Sequence, residues 1–247
     1  MMNNRSYLGS IRKYGKIGEG SFSEVYSCDY YDSYFAYKEF KDKDYVKFIN
    51  DRIIEITSLC YDFRFTFPYE VIYNKPSDIY FSGYVMVPKD DYFNLSKYSD
   101  IEYNKKIEIL KKVRNLIDIL HTEYNILHTD LNLWNIMFNN ERNDVTLIDF
   151  DTYINLKDKK GYEDGFYNEL FTLYVNNNSI DKDADIFLFN ICCFAFINNI
   201  DYFDVLKAIN KNYFGEINSE KAKDLFRSYK DLECKKALKK EYVIDYL

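Results

Sequence analysis

The chain has 247 residues, 47% of them hydrophobic and 19% aromatic, with only 8 Gly and 3 Pro. That composition suits one folded domain with a large aromatic core and excludes disorder and low-complexity linkers. A formal net charge of −7 argues against a dedicated nucleic-acid partner.

The opening residues, Met1-Met2-Asn3-Asn4-Arg5-Ser6, lack the apolar stretch of a signal peptide. Tyr14 to Ile17 reads as a strand that enters the turn Gly18-Glu19-Gly20-Ser21-Phe22-Ser23 and leaves it at Val25. Small residues in such a turn let backbone N–H groups approach phosphate oxygens. Phe35-Ala36-Tyr37-Lys38 forms the next short strand. From Asp44 to Leu59, apolar residues at Val46, Ile49, Ile53, Ile56 and Leu59 recur every three or four positions, which predicts a helix with one inward stripe and Glu55 beside it. A strand at Gly83-Tyr84-Val85 runs into Met86-Val87-Pro88-Lys89. Asn104 to His121 predicts a long helix, with Ile107, Leu110, Val113, Ile117 and Leu120 inward and the neighbouring lysines wet.

Two short strands, Asn135 to Phe138 and Val145 to Ile148, are spaced as a hairpin. From Asp183 a helix opens that is apolar on nearly every side, and its run Ile186 to Ile197, broken by Asn190, is too short to span a bilayer. The five cysteines, Cys28, Cys60, Cys192, Cys193 and Cys234, form no zinc or disulfide pattern. A cytoplasmic location and no membrane span are therefore expected.

Chemistry concentrates in His128-Thr129-Asp130-Leu131-Asn132-Leu133-Trp134-Asn135 and in Ile148-Asp149-Phe150-Asp151. The hairpin would set Asn135 beside Asp149. One amide oxygen and one carboxylate suit Mg²⁺, which takes hard oxygen ligands and leaves its other positions to water and phosphate. The order of glycine-rich turn, Ala-x-Lys, H-x-D-L-x-x-x-N and D-F, carried by residues from about Tyr14 to Asn198, resembles the protein-kinase-like superfamily.

That resemblance implies an α+β, bilobal fold: a small antiparallel-sheet N-lobe with one helix, and a mainly helical, shortened C-lobe. Residues 1–247 would be one catalytic domain, with the N-lobe at about 10–87, a hinge at about 87–91 and the C-lobe at about 92–247. It implies ATP and Mg²⁺ as cofactors and a γ-phosphoryl transfer to a hydroxyl acceptor. Asp130 would handle the acceptor proton, Asn135 and Asp149 would hold the metal, and Lys38, fixed by an ion pair with Glu55, would hold the phosphates. Ile17, Gly18, Gly20, Ser21, Phe22, Ser23 and Val25 would cover the nucleotide. Ala36, Met86 and Met137 would line the adenine site with Val25, and the backbones of Val87 and Lys89 would bond adenine. Asp185 would anchor the loop around Asp130, and Leu59, Phe150 and His128 would stack as a packing column.

Departures from the family pattern bear on the acceptor. Thr129 stands at the usual arginine, Asn132 at the usual lysine and Asp151 at the glycine of D-F-G, and no Ala-Pro-Glu follows, Glu169 with Arg227 being the expected substitute pair. A protein serine/threonine kinase is the first expectation. A small-molecule phosphotransferase of the aminoglycoside or choline kinase type is the second, and a pseudokinase or nucleotide-binding module the third.

Overall fold

A computed structural model describes residues 6–59, 62–157, 166–177, 179–230 and 241–247, so Cys60 and Cys234 lie outside the described residues. The chain divides into two compact units, Met1–Asp91 with Ile148–Asp151, and Tyr92–Leu147 with Thr152–Leu247.

In the first unit, β1 (Ile11–Glu19), β2 (Ser23–Tyr30), β3 (Ser33–Phe40), β4 (Glu70–Ile72) and β5 (Gly83–Met86) form an antiparallel sheet of order β1-β2-β3-β5-β4. Successive strand side chains point to opposite faces, and the register sorts them by chemistry. Tyr26 pairs with Tyr37, Cys28 with Phe35 and Tyr37 with Val85, giving one face a core of Cys28, Tyr30, Tyr37, Ile72 and Val85, with Leu8, Ile11 and Tyr69 packed on it. The alternate positions, Val25 opposite Lys38, Lys38 opposite Tyr84 and Ala36 opposite Met86, share the other face.

Between β3 and β4 runs α1 (Lys43–Ile56). Asp42 caps it by accepting from the backbone N–H of Asp44 and Tyr45. Tyr45, Val46, Ile49, Ile53 and Ile56 are its buried stripe. The helix stops at Ile56, and Thr57–Leu59 continue as a short 3₁₀ turn. Leu59 is 37% exposed, and the Phe150 ring is buried edge-on against Phe65 and Phe67.

In the second unit, β6 (Phe93–Asn94), α2 (Tyr103–Ile119), β7 (Ile126–Leu127), β8 (Ile136–Asn139), β9 (Asp144–Leu147) and β10 (Ile154–Asn155) precede the helices α3 (Glu169–Asn177), α4 (Asp183–Asn198), α5 (Val205–Asn210) and α6 (Glu220–Ser228). The expected hairpin is β8–β9, paired from Ile136 with Leu147 to Asn139 with Asp144. α2 widens into a π turn over Leu120–Tyr124. Every residue of α4 from Asp183 to Ile197 is buried, as an all-round apolar helix requires. Asn190, which interrupts its apolar run, donates to the Tyr229 hydroxyl (2.6 Å) and the Glu241 carbonyl (2.9 Å) and accepts from Val243 N–H (2.9 Å), tying the C-terminal segment to the core. Among the described residues no single helix is long and apolar enough to cross a membrane; α4 and Tyr202–Asn210 pass by length and composition only as a pair bent by 107°.

Gly83 marks the tightest contact in the sheet. A Cβ there would sit 2.2 Å from the Lys38 carbonyl oxygen and 2.7 Å from the Tyr37 ring, while one at Gly15 would meet nothing within 4 Å. Gly83→Ala should cost about 1–3 kcal/mol of unfolding free energy and Gly15→Ala less than about 0.5 kcal/mol, as read by urea denaturation; equal effects would refute the close approach.

Candidate active site

β1 and β2 close over Gly20-Ser21-Phe22, where Gly20 N–H donates to the Ser23 carbonyl (2.9 Å). Gly18 lies opposite Val25. Ile17 and Ser21 are exposed and Ser23 is buried. The Phe22 ring stacks on Tyr45 with centroids 4.2 Å apart, so the turn leans on the first turn of α1. Lys16 and Lys41 each bridge Glu19 and Glu24 at the base of the turn. On the sheet face that carries Lys38, Ala36 is buried and Val25 and Met86 are half-buried. Val87 and Lys89 follow β5, and the Lys89 ammonium donates to the Phe63 carbonyl (2.7 Å).

Lys38 is buried, and its ammonium donates to Asp149 Oδ1 (2.7 Å) and Asp151 Oδ2 (2.6 Å). The expected pair with Glu55 is not formed. Glu55 sits on the exposed side of α1 next to the buried Ile56, and the Asp149–Asp151 segment supplies both carboxylates instead. Burial alone would lower the Lys38 pKa, but these two charges raise it above its ordinary value. Asp151 also accepts from the Tyr84 hydroxyl (2.8 Å). Burial pushes its carboxyl up to about 6, against the pull of Lys38. Asp149 has a left-handed backbone, φ 66°, and its side chain remains 36% exposed.

In the second unit the loop after β7 is shaped by Asp185, the third residue of α4. Its carboxylate accepts from His128 N–H (2.8 Å), Thr129 N–H (3.1 Å) and His121 Nε2–H (2.9 Å); since a carboxylate only accepts, that imidazole nitrogen carries the proton. Thr129 has φ 65°, a left-handed conformation that a β-branched residue adopts only when its surroundings enforce it. Here the enforcement is Asp185 on its N–H and Thr152 on its hydroxyl, which reaches Thr152 O (2.9 Å) and Oγ1 (3.0 Å). Burial favours the neutral acid at Asp185, but the His121 bond and the backbone donors outweigh it and lower the pKa.

Downstream, the Asp130 carboxylate accepts from three neutral amides: Asn132 (3.0 Å) and Asn168 (2.9 Å) on Oδ1, and Asn135 (2.8 Å) on Oδ2. Asn132 also accepts from the backbone N–H of Trp134 (2.9 Å) and Asn135 (3.1 Å), fixing the loop that holds them. Met137 is half-buried on β8, opposite Thr146 and Asn94.

Three participants escaped the sequence. Asn168 caps α3 through Leu170 N–H (2.8 Å) while its amide turns to Asp130; the sequence signals the cap but not the second bond. His121 meets Asp185 through the π turn, which no pattern announces. Asp151 was visible as a replaced glycine, not as the lysine's partner. The expected Glu169–Arg227 pair is also absent: Glu169 is exposed, and Arg227 pairs with Asp224 (2.6 Å) and Glu220 (3.4 Å) on its own helix, where helical spacing brings carboxylates within reach.

Asn135 in the second unit and Asp149 in the first each carry an oxygen of the hard kind that magnesium takes. The Asn135 amide nitrogen donates to the Asp130 carboxylate and main chain, and the Asp149 carboxylate is 36% exposed. Among the described residues no group of three or more His, Cys, Asp or Glu side chains could hold a metal, and Mg²⁺ commonly uses one or two protein ligands with phosphate and water.

A family model described as the protein kinase domain matches residues 11–242. No curated protein matches the chain.

The loop's dependence on Asp185 has a pH signature. A lowered folded-state pKa gives stability that is present above the ordinary carboxylate range, near pH 4, and lost as pH falls through the folded value. Asp185→Asn should cost about 2–3 kcal/mol at neutral pH and flatten the acid limb of the denaturation midpoint against pH; an unchanged acid limb would refute the charge's role.

Proposed function

The chain belongs to the protein kinase domain family and is thereby an ATP-dependent phosphotransferase, and from this premise we propose that its acceptor is a protein serine or threonine hydroxyl. The observation that carries the catalytic part is the Asp130 carboxylate, set by three amide N–H groups. These donors hold the carboxylate in one orientation, as a group that accepts the acceptor's proton requires.

The other roles are distributed along the chain. Lys38 binds the nucleotide phosphates, and backbone N–H groups from Gly18 to Val25, with Ile17, Gly20, Ser21, Phe22 and Ser23, cover them. Val25, Ala36, Met86 and Met137 give the adenine ring apolar contacts, and the Val87 and Lys89 backbones hydrogen-bond its edge. Asn135 and Asp149 hold Mg²⁺, which when bound neutralises charge developing on the phosphates. Residues 1–247 act as one catalytic domain with an N-lobe at about 10–87, a hinge at about 87–91 and a C-lobe at about 92–247. The cytoplasm is the proposed compartment, in keeping with the free thiols of Cys28, Cys192 and Cys193.

One observation favours a small-molecule acceptor instead. Asn132, where protein serine/threonine kinases carry a lysine, spends its amide on Asp130 and the loop backbone, so this position brings no cation to a transferring phosphoryl group.

With γ-labelled ATP and Mg²⁺, label on serine or threonine of a generic protein acceptor is expected; label only in a metabolite extract would move the assignment to small molecules. Asp130→Asn should lower turnover about 10²–10⁴-fold with the unfolding transition retained, and Lys38→Met and Asp149→Asn should abolish it. Unchanged turnover in these three variants would overturn the kinase site.

A further inference from the structure

We infer that Asp151 is the positioning residue for Lys38, doing from within the Asp149–Asp151 segment what a glutamate on α1 was expected to do. The inference rests on the phosphate-binding role given to Lys38 above.

Asp149 and Asp151 both touch the ammonium, yet they are not equivalent. The Asp151 side chain is 5% exposed. One oxygen takes Lys38 (2.6 Å) with the Tyr45 hydroxyl at the long limit of 3.5 Å, and the other takes Tyr84 (2.8 Å). With both oxygens engaged, the carboxylate has one orientation. The Asp149 side chain is 36% exposed and belongs to the residue assigned to the metal. A carboxylate drawn to a divalent cation no longer serves a lysine fully, and a buried ammonium left without a partner is costly. Asp151 keeps Lys38 paired when Asp149 turns to its metal.

Glu55 offers no substitute, being exposed on α1 and absent from Lys38's partners. Among the described residues Lys38 and Asp151 are tied by β3, β5, the Asp149–Asp151 segment and Tyr45 at the start of α1: Tyr84 lies opposite Lys38 in the sheet and bonds Asp151 directly, with the Tyr45 hydroxyl at 3.5 Å. The position of the lysine is thereby uncoupled from any movement of the C-terminal half of α1.

Asp151→Asn is the informative variant, since the amide oxygen can still accept from Tyr84 and the volume is unchanged. In the nucleotide-free protein, a ¹H–¹⁵N spectrum of lysine side chains should show a slowly exchanging Lys38 ammonium signal, retained in Glu55→Gln and lost in Asp151→Asn. In the transfer assay kcat/KM for ATP should fall about ten-fold or more in Asp151→Asn, with the acceptor KM unmoved, and less than about two-fold in Glu55→Gln. Either readout unchanged in a folded Asp151→Asn, or the signal lost in Glu55→Gln, overturns the inference; the Glu55→Gln result decides even where Asp151→Asn does not fold. Activity surviving Lys38→Met would count against the kinase site itself. Wild-type kcat/KM in Asp151→Asn, beside an inactive Lys38→Met, would count against Asp151 alone.

Discussion

Asp185 holds a negative charge with no exposure to water, and it does so because His121, His128 and Thr129 all donate to it. The geometry around Asp130 follows from that convergence. A threonine held at φ 65° stores strain of order 1–3 kcal/mol, and charge-assisted bonds to a buried carboxylate are among the few local interactions large enough to offset it. Remove the carboxylate and the loop loses both its bend and the reason for Asp130, one residue on, to face its three amides. The all-round burial of α4 is the other half of this constraint: a helix that cannot tilt gives a fixed origin for the charge.

Each unit holds one carboxylate-centred cluster. In the first, full charges meet at close range, with a buried ammonium between two carboxylates. In the second, amide dipoles of Asn132, Asn135 and Asn168 all point at Asp130. Each suits its task. In the proposed roles, a lysine that meets phosphate has to arrive already ordered, and a carboxylate that takes a proton has to lose its freedom first.

How far these arrangements could be read from the chain depended on the distance over which each pattern acts. The hairpin β8–β9, the strand carrying Lys38 and the apolar α4 follow local periodicity, and so emerge from residue order. Asp185 was legible through the family resemblance, because the residues alone also allowed a plain carboxylate at a helix N-terminus. Lys38's partner was not, because choosing between Glu55 and Asp151 depends on which side of α1 turns inward near its end, and Ile56 claimed that side. Asn168 shows a different limit: its role as a cap is written locally, while its bond to Asp130 spans 38 positions in the chain.

Tyr45 lies at a junction that ties distant positions together. Its ring carries Phe22 from the glycine turn, and its hydroxyl reaches toward Asp151. A smaller residue at 45 would remove the ring on which the turn rests and the hydroxyl beside the carboxylate at once. One aromatic ring thus serves as a shared post for the glycine turn, the first turn of α1 and the Asp149–Asp151 segment.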